Sequence, residues 1–340
     1  MRQPLSSIAH AAYHDLLHSL RDEAVSDLRG TPTRVERGGK VYWYDSYRVG
    51  SDVLKSYIGE DNDDLRQRLS RASDLKARRK ENQFHRARLI RILRAEGFPG
   101  IDAGTGSLLN AMAEAGVFRL GGTIIGTQAF RLYAGELGVR YSFDQHAQTN
   151  DLDIASFERL SVALDDTVSE PLQKVLGDFS FEKAPALDNG QSWRWRQTRS
   201  ALLVEFLTPS FDAAESLRPL KALGVQAQSL HYLNFLIAEP IKAALTYRSG
   251  VLVQIPRPER FAVHKLIVAD RRRDGADSLK SIKDRAQAQF LIEILAEHRP
   301  DDLSEAYRDA LSRGPRWRER IAATLDRMPA TKTLLDKAGA

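Results

Sequence analysis

Apolar positions along residues 1–30 recur at helical spacing, with Leu16, Leu17, Leu20 and Val25 forming one stripe, which predicts a helix. Gly38-Gly39 then introduces Lys40 to Val49, a run dense in aromatic and β-branched residues that predicts a hairpin or small meander. From Asp63 to Glu96 the pattern becomes a charge-dense helical stretch, closed by Gly97-Phe98-Pro99-Gly100. Helix and strand alternate from 105 to 256. An apolar strand, Leu120 to Ile125, ends in the small-residue turn Gly126-Thr127, and a helix is predicted over Gln128–Leu137. A strand through Asp151 to Ala155, a helix over Phe157–Leu176 and strand-like runs at 179–182, 192–196 and 201–207 follow, the last stopping at Thr208-Pro209. A strand over Gly250–Ile255 stops at Pro256, and from Pro258 onward the chain reads as helices punctuated by Arg299-Pro300 and Gly314-Pro315. The pattern predicts an α+β protein in three parts: a helical and small β segment over 1–104, a mixed core over 105–256, and a helical domain over 257–340.

Composition narrows the class. With 340 residues, 42% hydrophobic and 28% charged, the chain has enough apolar content for real cores. No run approaches the length that spans a bilayer, and Met1 to Leu20 carries His, Asp and Ser through its apolar positions, so neither a membrane span nor a signal peptide is expected. The absence of cysteine excludes disulfides and thiolate metal sites, and a cytoplasmic location is the expectation that fits it. A net charge of +5 and a pI near 9.3 favour a polyanionic partner, either nucleotide phosphates or nucleic acid. Lys76-Ala77-Arg78-Arg79-Lys80 with the arginines after it reads as a solvated helix face, with nucleic-acid contact as its functional alternative. Trp193 and Trp195 are expected to pack into the core, and His10, His14 and His18 to be surface residues. No Gly-x-Ser-x-Gly, Walker loop or His-Glu-x-x-His occurs, which argues against hydrolase, P-loop and zincin chemistry.

The chemistry concentrates at Asp151-Leu152-Asp153. On a strand, side chains alternate, so both carboxylates share one face while Leu152 and Ile154 point into a core. Two hard oxygen ligands side by side suit Mg²⁺. Glu205 interrupts the apolar run Leu202 to Leu207 on another strand, where an ionised side chain needs a cation, a proton or water, and it is the candidate third carboxylate. The Gly126-Thr127 turn, followed by a helix, lets backbone N–H groups approach phosphate oxygens. Strand, Gly-Thr turn, helix and Asp-x-Asp strand together read as a nucleoside triphosphate site.

This order of elements resembles the DNA polymerase β-like nucleotidyltransferase superfamily. Within it the chain is similar to the bacterial stand-alone nucleotidyltransferases related to the abortive-infection (type IV toxin) group. The likeness is carried by Gly121-Gly122-Thr123-Ile124-Ile125-Gly126-Thr127-Gln128-Ala129-Phe130 and Thr149-Asn150-Asp151-Leu152-Asp153-Ile154-Ala155. Phe206-Leu207-Thr208-Pro209 and Phe261-Ala262-Val263-His264-Lys265-Leu266 add to it, over roughly residues 118–295. It implies a nucleotidyltransferase core over 105–256, two Mg²⁺ ions held by Asp151, Asp153 and Glu205, and transfer of a nucleoside monophosphate from an NTP such as ATP to an acceptor hydroxyl with release of pyrophosphate. It further implies that Lys265 contacts the triphosphate and that Asp284 sits at the acceptor side or orients a basic residue; an ordinary solvated helix face is the alternative for both. A tRNA or other nucleic acid, a protein or a small molecule would be the acceptor, and an antitoxin protein a possible partner. Two departures stand out: Phe143 to Asn150 reads as an insertion between the Gly-Thr turn and Asp151, and the third carboxylate is Glu rather than Asp. The rival reading is a nucleotide- or nucleic-acid-binding module that kept the fold without turnover.

Overall fold

A mixed seven-stranded sheet organises the first of two units in the computed structural model of the chain, which describes residues 2–26, 28, 30–49, 52–141, 151–157, 166–184, 192–274 and 278–339. The first unit draws on 1–142, 150–229 and 242–255; the second draws on 230–241 and 256–340. Residues 1–104 fall in the same unit as the sheet.

The chain begins with β1 (Arg2–Pro4) and α1 (Ser7–Ser26). Leu16, Leu20 and Val25 of the predicted stripe are buried, and Tyr13 accepts a hydrogen bond at its hydroxyl from the Ala244 amide at 3.2 Å. β2 (Thr31–Arg37), β3 (Lys40–Val49) and β4 (Asp52–Glu60) form an antiparallel meander. Gly38 and Gly39 make its first turn at φ of 58° and 75°, a conformation that favours glycine. The stretch predicted as helical from Asp63 to Glu96 is divided into α2 (Asp63–Ser70), α3 (Ala72–Ala77) and α4 (Arg79–Ala95). The breaks at Arg71 and Arg78 flank α3, a short helix that fully buries no residue. Arg86, within the run expected to face solvent, is buried instead; its guanidinium donates to Glu23 Oε1 at 2.6 Å and to the Ser249 carbonyl at 3.1 Å.

Then follow α5 (Ala103–Ala115), β5 (Thr123–Ile125), α6 (Gly126–Leu137), β6 (Val139–Tyr141), which pairs with β1, and β7 (Asp151–Ala155). The expected insertion at 143–150 lies outside the described residues, apart from its neighbour β7. Of the helix predicted over Phe157–Leu176, 158–165 lie outside the described residues, 166–171 are not helical, and α7 runs over Leu172–Asp178. Pro171 is the N-cap of α7 and disfavours helix at the residue before it, which fits the non-helical stretch 166–171. β8 (Phe181–Lys183), β9 (Arg194–Gln197), β10 (Leu203–Pro209), β11 (Leu217–Leu220) and β12 (Val225–Leu230) complete the large sheet. Its order is β11-β12-β10-β7-β5, with β9 also on β10 and β8 on β9. β10 runs parallel to β7, while β5 and β9 are antiparallel to their neighbours. Leu152, Ile154, Val204 and Phe206 are fully buried on the face turned away from the carboxylates. After α8 (Leu233–Leu236), β13 (Ile241–Leu245) pairs with β14 (Val251–Ile255).

The helices after residue 256 are α9 (Pro258–Arg271), α10 (Ser278–His298), α11 (Pro300–Ser312), α12 (Pro315–Leu325) and α13 (Pro329–Gly339). Four open on a proline, Pro258, Pro300, Pro315 and Pro329, where its missing N–H costs nothing. No helix among the described residues is long and apolar enough to cross a membrane.

His264 on α9 is buried, and its imidazole is pushed down to about 3, chiefly by burial and then by the neighbouring Lys265 charge. The folded protein therefore holds His264 neutral where the unfolded chain takes up a proton near 6.5. Stability should fall as pH drops from about 6.5 towards about 3 and be independent of this group above that window. Thermal melts from pH 8 to about 4 should show this loss in the parent protein and a flatter profile in His264→Gln; parallel profiles would refute the assignment.

Candidate active site

Sheet register assembles the carboxylates. Asp151 and Asp153 lie two apart on β7, and Glu205 on β10 stands opposite Asp153 in the parallel pairing. Arg194 on β9 stands opposite Glu205 in the antiparallel pairing on the other side of β10. Asp153 is in turn opposite Ile125, the last residue of β5. One row therefore crosses four strands as Arg194, Glu205, Asp153 and Ile125, and the chain turns into α6 immediately after it. Partners in register share a face, so the row and Asp151 are presented together.

The turn is built for close approach. Gly126 has φ of 64°, and a Cβ added there would stand 2.5 Å from Oδ2 of Asp153. Glycine thus meets two demands at once: a left-handed backbone and room for a carboxylate against it. The N-cap residue of α6, Ile125, makes no side-chain hydrogen bond to the first turn, which the amides of Gly126 and Thr127 open.

Glu205 reports the electrostatics. Its side chain is 17% exposed, and its Oε1 accepts from Nε of Arg194 at 2.7 Å. Burial raises its carboxyl above the ordinary value, and the Asp151 charge adds to that; Arg194 and a hydrogen bond with Asp153 pull the other way without restoring it. The all-carboxylate donor set of Asp151, Asp153 and Glu205 fits a hard divalent cation. The side chains do not yet converge on one point: among the described residues no group of three or more His, Asp or Glu is arranged to hold a metal ion.

Lys265 and Asp284 meet in the second unit. Lys265 Nζ donates to Asp284 Oδ1 at 2.5 Å, and Arg272 donates to Oδ2 at 2.9 Å. Burial would raise the Asp284 carboxyl, but Lys265 and Arg272 together outweigh it and hold it below its usual range. Lys265 is buried with it and lies 5.2 Å from the Phe261 ring centre.

Two features differ from expectation. Trp195 is buried, but Trp193 is only half-buried, and its ring carries the Arg194 guanidinium 4.1 Å from its centre. Trp193 precedes β9, at a bend, and so escapes the strand alternation that would have placed it with Trp195. Arg194 itself is the site residue that motif reading passed over; the signal was a basic residue in an aromatic strand that pairs with the strand holding Glu205. His10 and His14 touch through their Nε2 atoms at 2.9 Å with no carboxylate completing a metal set among the described residues.

Gly126→Ala should cost about 1–2 kcal/mol from the left-handed backbone alone, and more because the methyl must displace Asp153. Denaturant melts check the first; a loss confined to ~1 kcal/mol with an unchanged site in a crystal structure of the variant would refute the second.

Residues 103–312 match the nucleotidyltransferase family, more than half of the chain, and residues 10–67 match a domain of unknown function. No curated protein matches the sequence. The crystal structure of an antigenic nucleotidyltransferase-like protein from Paracoccidioides brasiliensis is similar over 70% of this chain and 95% of that one, at 14% identity and a TM-score of 0.40, too loose a likeness to carry any residue across. On the strength of the match over 103–312, the chain belongs to the nucleotidyltransferase family.

Proposed function

We propose that the chain is a Mg²⁺-dependent nucleotidyltransferase that moves a nucleoside monophosphate from an NTP to an acceptor hydroxyl and releases pyrophosphate. The observation that carries this reading is the Asp153 carboxylate lying against Gly126 at the start of α6, with Asp151 and Glu205 on the same face. Asp151 and Asp153 would hold the metal, with Glu205 as the third ligand. Magnesium bound there would activate the attacking hydroxyl and offset charge on the departing pyrophosphate, as a two-metal site does.

The chain's own groups supply the rest. The amides of Gly126 and Thr127 open α6 and offer donors, with the favourable end of the helix dipole, to phosphate oxygens. Glu205, beside Asp153 on the neighbouring strand, is also placed to assist removal of the proton from the acceptor hydroxyl. Lys265 and Asp284 take a lesser part in this reading: bonded to each other and buried, they leave Arg272, 39% exposed, as the open cation of their cluster. The acceptor is a nucleic acid such as tRNA, a protein or a small molecule. Kinship with the abortive-infection group, and with it an antitoxin partner, belongs to the same proposal.

One observation favours the rival, a binding module without turnover: Glu205 is engaged by Arg194 rather than turned to the aspartates alone. Incubating the protein with each radiolabelled NTP and Mg²⁺ against tRNA, protein and small-molecule acceptors separates the two. Transfer is expected, and Asp151→Asn with Asp153→Asn should lower it at least about 100-fold, in the range of lost catalytic groups. NTP binding with no transfer by the parent protein would favour the module; neither binding nor transfer would sink both readings.

A further inference from the structure

We infer that Arg194 occupies the cation's place on Glu205 when no metal is bound, and hands over to the triphosphate when the metal takes the carboxylate; this rests on the metal reading proposed above. The geometry begins with position. Arg194 is directly opposite Glu205 on the neighbouring strand and bonded to Oε1 at 2.7 Å, on the carboxylate face. It is the cation the structure places on Glu205, and carboxylates gathered on one face need such a charge.

The backbone around it is pinned, so the exchange belongs to the side chain. The Arg194 carbonyl accepts from the Ala184 amide at 2.9 Å and from Ser192 Oγ at 2.7 Å, and the Phe206 amide donates to the Trp193 carbonyl at 3.0 Å. The guanidinium also rests over the Trp193 ring, 4.1 Å from its centre. That contact is independent of Glu205 and would keep the group at the rim after the carboxylate lets go. The side chain is 50% exposed, open to an incoming anion, and a guanidinium fork matches a phosphate's paired oxygens. The ligand that displaces Arg194 from Glu205 thus brings its replacement partner, since the metal arrives with a triphosphate. The arrangement makes metal and nucleotide binding mutually dependent through one side chain.

The test uses the full chain, Mn²⁺ followed by electron paramagnetic resonance, and a non-hydrolysable NTP analogue followed by calorimetry. R194Q should bind Mn²⁺ alone about tenfold more tightly, because no guanidinium competes, and the analogue in saturating Mn²⁺ about tenfold more weakly, within the usual range of site-to-site coupling. R194K keeps the charge and loses the fork, so its Mn²⁺ affinity should stay within about threefold of the parent while analogue binding weakens severalfold. Unchanged or weaker Mn²⁺ binding by R194Q overturns the inference and makes Arg194 a support for Glu205. Tighter Mn²⁺ binding with unchanged analogue binding overturns the handover. Should R194Q fail to fold by circular dichroism, R194K decides: parity with the parent in both measurements overturns the inference. A parent protein that binds no Mn²⁺ defeats the metal reading itself, a result distinct from each of these.

Discussion

Negative charge on one face of the sheet is the constraint around which the first unit is arranged. Asp151 and Asp153 on β7 and Glu205 on β10 are brought together by strand register, and carboxylates so placed cannot all stay ionised without a nearby cation. The surroundings answer that demand in different ways. Gly126 yields its side-chain volume to the Asp153 carboxylate, Arg194 puts a guanidinium on Glu205, and α6 opens next to the same face.

The opposite face pays the cost of holding this charge. Leu152, Ile154, Val204 and Phe206 are fully buried, and their alternation with Asp151, Asp153 and Glu205 fixes the register, because a one-residue slip of β7 would drive both aspartates into the core and a slip of β10 would do the same to Glu205. The same period-two pattern that places the ligands therefore also supplies the energy that keeps them in place. The hydrophobic face is what makes an electrostatically strained polar face affordable to a marginally stable fold.

Where a pattern had one dominant physical cause, it could be read from the sequence. The Asp-x-Asp strand, the Gly-Thr turn, the helix after it and the proline-opened helices beyond residue 256 all follow from alternation, glycine geometry or proline geometry. β11 and β12 escaped because Leu217–Leu220 contains Pro219 and Val225–Leu230 alternates with glutamines and serine, so neither shows a run of strong strand formers. Arg86 escaped because its burial depends on Glu23 and on the carbonyl of Ser249, partners far along the chain. The same holds at the site: Glu205 was legible as an odd charge in an apolar strand, whereas Arg194 acquires meaning only through the pairing of β9 with β10.

The two acidic centres show why residue type alone could not rank them. Asp284 is the more deeply buried, its side chain 3% exposed against 17% for Glu205, so burial by itself would lift its carboxyl at least as far. Its carboxyl is instead held down, while that of Glu205 is raised. The sign is set by the company each keeps among the described residues: Asp284 sits between Lys265 and Arg272, whereas Glu205 is bonded to Arg194 and faces the Asp151 charge as well. A fully compensated carboxylate is a structural fastener, since any added cation would meet charge already satisfied. An under-compensated one still has a charge to satisfy, and a metal ion can supply it. By that measure the Asp284 carboxylate is compensated by its own contacts with Lys265 and Arg272, while Glu205 is the carboxyl on which the proposed metal reading depends.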